Sequence, residues 1–261
     1  MKFIHLTDPH FIPPGKTLYG RDPRVALDAA VADINAANSD AEMVVITGDL
    51  THWGEPEAFA NLADCLAPLT MPVKLLIGNH DHRPTFREHF PDQGVDANGF
   101  MQSIHETSAG VFIFLDTVLE GTHAGHFCEQ RCAWLSQTLA DVGDRDVFLF
   151  MHHPPMAMGL PFMDTIRLDA EDALGEIVSS NPQIKHLFFG HLHRPATGTW
   201  LGVPFVLGNS TQSGEPLDFR HEKEEELQDP NPLGPGYGIA FADAKGGLRY
   251  HFNFVKFDMQ L

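Results

Sequence analysis

Residues 2–10 read KFIHLTDPH and residues 42–49 read EMVVITGD. In each, an apolar, β-branched or aromatic run too short for a helix stops at a side chain able to bind a metal: Asp8 and His10 in the first, Asp49 in the second. The same event recurs in KLLIGNHD at 74–81, VFLFMHHPP at 147–155 and KHLFFGHLH at 185–193. Strands are therefore expected over 2–7, 42–47, 73–78, 111–115, 147–151 and 185–190, and their composition suits buried central positions.

Helical periodicity fills the gaps. Asp22 before Pro23 is a cap followed by a first-turn proline, and Val25, Leu27, Val31 and Ile34 continue the apolar pattern. Residues 55–67, 129–140 and 169–179 read the same way, so β–α alternation covers about the first 190 residues. Beyond Pro195, short runs at 196–201, 203–207, 238–242 and 248–255, with a turn at Lys245-Gly246-Gly247, predict mixed or antiparallel sheet. A chain that begins with βα units and ends in hairpins suits an α/β layered αββα sandwich of two mixed β-sheets flanked by helices, in a single domain over 1–261. The stretch 214–236, with HEKEEE and then DPNPLGPG, has neither period and is expected to be a surface loop or a lid.

Composition limits the partners. A net charge of −18 and only 17 Lys and Arg with no basic run argue against a nucleic acid polymer. No apolar run reaches the roughly 18 residues of a membrane span, and no secretory pattern opens the chain, so a cytoplasmic protein is expected. Cys65, Cys128 and Cys132 match neither a disulfide framework nor a thiolate metal site and are expected to be reduced.

Five strand ends carrying Asp8, His10, Asp49, Asn79, His80, Asp81, His152, His153, His191 and His193 should lie along one edge, where α/β sheets build their ligand sites. Spacing of two places Asp8 with His10, and His191 with His193, on the same side of an extended segment. Carboxylates and imidazoles without thiolate suit Mn, Fe, Co or Zn, and a carboxylate such as Asp49 has two oxygens with which to bridge two ions. Two ions about 3.5–4 Å apart clamp the attacking and leaving oxygens of an in-line displacement and activate water near neutral pH.

In order, D-x-H, G-D, G-N-H-D, H-H-P-P and G-H-x-H resemble the motifs of the calcineurin-like metallophosphoesterases up to residue 193. Residues 17–20, 95–98 and 151–155 are most similar to bacterial class III cyclic-nucleotide phosphodiesterases and the related glycerophosphodiesterases. The resemblance implies two divalent metal ions, one held by Asp8, His10, Asp49 and His193, the other by Asn79, His152 and His191, with Asp49 shared. It implies that a hydroxide bridging the ions attacks a small phosphodiester, a cyclic nucleotide or a glycerophosphodiester. His80 would contact the phosphate and assist the leaving oxygen, and Asp81 would orient it. The relatives form dimers or larger oligomers, so self-association is an expectation. A phosphomonoesterase of the same fold, and a metal-binding regulatory protein without turnover, are the rival readings. Purple acid phosphatases carry a tyrosine ligand shortly after G-D; here the run is Leu50-Thr51-His52-Trp53, so exchangeable divalent ions rather than a phenolate-bound ferric ion are expected.

Several residues have two readings. His152 is the ligand of its pair by resemblance, with His153 as an outer donor. Asp81 also suits a cap for a helix starting near Arg83. Tyr19, with Arg21, reads as a substrate contact or as packing; Asn79 and His80 are the other substrate-binding candidates. His123 and His126 read as surface-loop residues, and His5, His186 and His251 as structural.

Overall fold

The computed structural model describes residues 1–214, 217, 219, 220 and 235–255. Most of the 214–236 segment, expected as a surface loop or lid, lies outside the described residues. Two sheets stack face to face. One has five strands in the order β11-β10-β1-β2-β3: β1 Lys2–Leu6, β2 Met43–Thr47, β3 Val73–Leu76, β10 Gly236–Ala242 and β11 Leu248–Phe254. The other has six in the order β4-β5-β6-β7-β9-β8: β4 Ser103–Thr107, β5 Gly110–Phe114, β6 Val147–Phe150, β7 Ile184–Phe189, β8 Ala196–Trp200 and β9 Val203–Leu207. Helices α1 Pro23–Ala37, α2 Pro56–Leu66 and α3 Arg83–His89 cover the first sheet; α4 Glu129–Val142, α5 Pro161–Thr165 and α6 Glu171–Ser180 cover the second. This is the expected αββα order of layers.

Strand alternation sorts side chains into three cores. Phe3, Met43, Val45, Phe112, Phe114, Phe148, Phe150 and Phe188 point between the sheets. Ile4, Leu6, Val44 and Ile46 point instead toward α1 and α2, while Val147, Leu149 and Met151 point toward α4 and α6. The middle layer is strongly aromatic: Phe150 stacks on Phe188 at 4.5 Å, and Phe3 meets Phe112 edge-on at 5.1 Å. Each buried phenyl contributes about 1.5–3 kcal/mol by transfer from water, and Phe150→Ala would cost about 3–5 kcal/mol.

Helix α1 starts where its chemistry says it should, since Asp22 Oδ1 accepts from Arg24 N at 2.9 Å and Pro23 occupies the first turn. Its buried face is Ala26, Leu27, Ala30, Val31 and Ile34; Val25, read as part of that face, is 54% exposed. Three elements escaped the sequence pattern or its boundaries. β4 is a polar edge strand paired antiparallel to β5, α5 is only five residues long, and the run expected over 73–78 leaves the sheet after Leu76. No helix among the described residues is long and apolar enough to cross a membrane.

β1, β2 and β3 are parallel, as are β5, β6, β7 and β9. Their carboxyl ends therefore emerge together, and the two stacked sheets aim their loops at one point.

Candidate metal centre

Beyond their last ladder pairs, the β1 and β2 loops remain laced together: Asp8 N donates to Gly48 O at 3.1 Å, His10 N to Asp49 O at 2.9 Å and Phe11 N to Leu50 O at 2.9 Å. Within the second sheet Gly190 N donates to His152 O at 3.1 Å, and across the sheets His191 N donates to Asp8 Oδ1 at 3.1 Å. The backbone is strained where these residues turn inward. Asp8, His10, Asp49, His191 and His193 all have φ between 46° and 71°, a region that costs L-residues on the order of 1–2 kcal/mol each. Tight packing also demands glycine: a Cβ on Gly48, at φ +97°, would collide with the His152 imidazole, and one on Gly78 with Asp49.

All seven expected ligands converge. Asp8, His10, Asp49 and His193 place ligand atoms within 4.8 Å of one another, and so do His152, His153 and His191. Asp49 Oδ2 lies between the groups, 3.6 Å from His10 Nε2 and 3.3 Å from His152 Nε2, the position a bridging carboxylate needs. Asn79 Oδ1 is 3.1 Å from Nε2 of both His152 and His153. His152 Nδ1 donates to Thr47 O at 2.7 Å, which leaves Nε2 facing Asp49. His153 Nδ1 pairs with Thr117 Oγ1 at 2.7 Å, and its Nε2 lies 3.2 Å from the His123 carbonyl.

Electrostatics match a centre built for cations. Burial lifts Asp8 to about 7, whereas Asp49, which burial alone would also raise, is held well below the usual carboxylate range by His152, His80 and His10. Burial opposes protonation of His152 too, yet Asp49 and Asp8 lift it to about 9. One proton on His152 is the local answer to two buried carboxylates, and a dication in the same place would displace it. Burial first, then neighbouring imidazoles, keep His10 and His191 neutral and lower His193 to about 3. Neutral imidazoles present lone pairs. His191 Nε2 is buried with no hydrogen-bond partner, and His10 Nε2 faces His193 Nε2 at 2.8 Å. A partnerless His191 nitrogen and a close pair of neutral imidazole nitrogens, set among buried carboxylates, fit a pair of divalent ions.

The remaining candidates differ from expectation in detail. Asp81 neither caps α3, whose N-cap is His82, nor bonds the His80 ring. Its carboxylate accepts from Gly78 N, Leu50 N, Thr51 N and Thr51 Oγ1 at 2.8–2.9 Å and so clamps the β2 and β3 loops together. His80 is oriented instead by its own amide, which donates to Asp49 Oδ1, and by Nδ1, which donates to the His52 carbonyl, both at 2.9 Å. Tyr19 is 73% exposed, with its ring 6.0 Å from that of His52. His5 and His186 are structural: His5 bridges Tyr250 and Thr47 between the sheets, and His186 stacks on Phe148. His251 is exposed on β11, with its ring 6.1 Å edge-on to Phe241.

His123 was the residue least legible beforehand. It is exposed on a loop, as expected, yet its Nδ1 lies 2.9 Å from Asn79 Nδ2 and turns the amide oxygen toward His152. Arg83 and Arg131 brace this loop through Asp116 and the Val118 carbonyl. His126, three residues on, pairs with Asp169 instead. Only the Gly-containing His123-Ala124-Gly125-His126 run hinted at such a role, and spacing alone could not say which histidine turns inward.

Comparison with known proteins agrees with this geometry. Residues 1–195 match the family described as Calcineurin-like phosphoesterase. A probable cyclic nucleotide phosphodiesterase of Rhodopseudomonas palustris is 43% identical over 86% of this chain and 89% of its own. A probable glycerophosphodiester phosphodiesterase of Arcobacter nitrofigilis is 27% identical over 98% and 93%. The crystal structure of a dimetal phosphatase from Danio rerio superposes with a TM-score of 0.72 at 14% identity, covering 98% of this chain and 99% of that one, and so shares the fold. The chain belongs to the calcineurin-like phosphoesterase family.

Proposed function

We propose that the chain is a dinuclear-metal-dependent phosphodiesterase acting on small organic phosphodiesters, cyclic nucleotides or glycerophosphodiesters. The observation that carries this reading is the convergence of seven buried or half-buried donors from five strand ends, with Asp49 Oδ2 between the two groups. Asp8, His10, Asp49 and His193 would hold one ion, and Asn79, His152 and His191, with Asp49, the other. When bound, the ions would polarise the phosphoryl oxygens and activate the attacking water. The donor set suits Mn, Fe, Co or Zn.

The chain's own residues supply the rest. The four donors gathered by Asp81 keep the Asp49 and Asn79 loops in fixed relation, so the ligands need not reorganise during turnover. His80 has Nδ1 committed to the His52 carbonyl, leaving Nε2 as its nitrogen for a phosphate oxygen or the departing alkoxide. Tyr19 stands outward on the β1 loop, where the non-reacting part of a diester would lie. The names of the two relatives support diesters over monoesters. Three cysteines, none in a disulfide, support a reducing compartment, the cytoplasm. The test is a panel of cyclic AMP, glycerophosphocholine and matched monoesters on metal-reconstituted protein; a preference for monoesters would overturn the reading.

A further inference from the structure

His52 lies three residues after Asp49 and is 9% exposed. Its Nδ1 is 3.1 Å from His10 Nδ1, its ring stacks on His80 at 4.7 Å and 18°, and its carbonyl accepts from His80 Nδ1 at 2.9 Å. Its own amide donates to Phe11 O at 2.9 Å, which ties it to the loop that carries His10. We propose that His52 is a positioning residue that fixes His10 through its ring nitrogen and His80 through its ring face, one side chain setting both a metal ligand and the group beside the leaving oxygen. The proposal rests on the function proposed above.

Hydrogen bonding sets the tautomers. His10 turns Nε2 toward His193 and Asp49, so its proton belongs on Nδ1 and donates to His52 Nδ1. His52 then carries its own proton on Nε2. By distance alone, His10, His52 and His80 could hold an ion of their own. Two of their ring nitrogens are already engaged, however: His10 Nδ1 with His52, and His80 Nδ1 with a carbonyl. The arrangement is therefore a support behind the metal centre, of the kind that fixes ring orientation and ligand basicity. The stacked faces hold His80 at a distance set by van der Waals contact, independently of that hydrogen bond.

Because the two roles use different parts of the ring, substitutions separate them. Asn places Oδ1 where His carries Nδ1 and keeps the acceptor without the stack. Phe keeps the stack without the acceptor, and Gln moves its polar atoms to the Nε2 position. Calorimetric titration of manganese into the metal-free full chain, with circular dichroism as the check on folding, reads the first role. His52→Phe and His52→Gln should weaken manganese binding about 10- to 100-fold, while His52→Asn stays within about threefold of the unaltered chain. Turnover at saturating manganese reads the second: His52→Asn should lose about 10- to 100-fold on cyclic AMP and much less on bis(p-nitrophenyl) phosphate, whose leaving group needs no proton. Equal manganese affinity for the Asn and Gln variants overturns the first role, whether or not the Phe variant folds. Equal losses on both diesters overturn the second. An unaltered chain that binds manganese but hydrolyses no diester refutes the proposed function while the titration still decides what His52 does for His10; one that binds no manganese refutes both.

Discussion

Replacing His80 by Ala tests the assignment of roles at the centre. The ring lies 4.9 Å from His10 and from His123 and 4.7 Å from His52, inside the histidine cluster. It is not needed to bind the ions, because Nδ1 is held by the His52 carbonyl and the proposed ligand sets are complete without it. Metal content should therefore be unchanged. A positioned acid or base contributes about 10²–10⁴-fold, equivalent to about 2.7–5.5 kcal/mol of barrier. That loss should appear in full for cyclic AMP or a glycerophosphodiester, whose alkoxide must be protonated as it leaves. For bis(p-nitrophenyl) phosphate, whose phenolate is a stable anion, it should be under about 10-fold, since little of the general-acid contribution is used. The assay is kcat for both substrates on the same metal-loaded preparations, with metal content measured alongside. Equal defects would show that His80 stabilises charge on the non-leaving oxygens instead, and no defect on either substrate would remove it from the reaction.

Exhaustive chelation should abolish hydrolysis, with Mn, Co or Zn restoring it; turnover by protein shown to be metal-free would refute the dependence. Asp49→Ala should abolish binding of two ions, because its Oδ2 stands between both groups, and near-normal two-ion titration would show the bridge to be misassigned. Gly48→Ala should destabilise the fold by about 2–5 kcal/mol, the sum of positive-φ strain and overpacking against His152; an unchanged urea midpoint would contradict the packing described. Burial lowers His5 from 6.5 to about 3, so the fold keeps it neutral, and its stability contribution is fully present above about pH 6.5 and lost as pH falls toward 3. That loss is on the order of 5 kcal/mol, and His5→Phe should remove this part of the acid dependence in urea titrations at stepped pH.

The order of residues alone determined the layer architecture and pointed to the seven candidate ligands that the fold brings together. Five of the strands, β1, β2, β3, β6 and β7, are short apolar runs visible locally, and each ends in donors whose types suit hard or borderline cations. Boundaries were less legible where the signal is weak: β4 is a polar edge strand with one partner, and α5 has five residues. Only the tertiary structure decided that β10 pairs antiparallel to β1 across more than 230 residues, extending the first sheet by β10 and β11. It also decided that His123 turns to Asn79, that Asp81 clamps two loops rather than orienting His80, and that His52 stands behind His10. The physical reason is that periodicity reports which face of an element is buried, a property of neighbours in the chain. A hydrogen bond between loops depends on where the sheets have carried them, and residues such as His123 and His126, three apart in one loop, become different only when Asn79 reaches one and Asp169 the other.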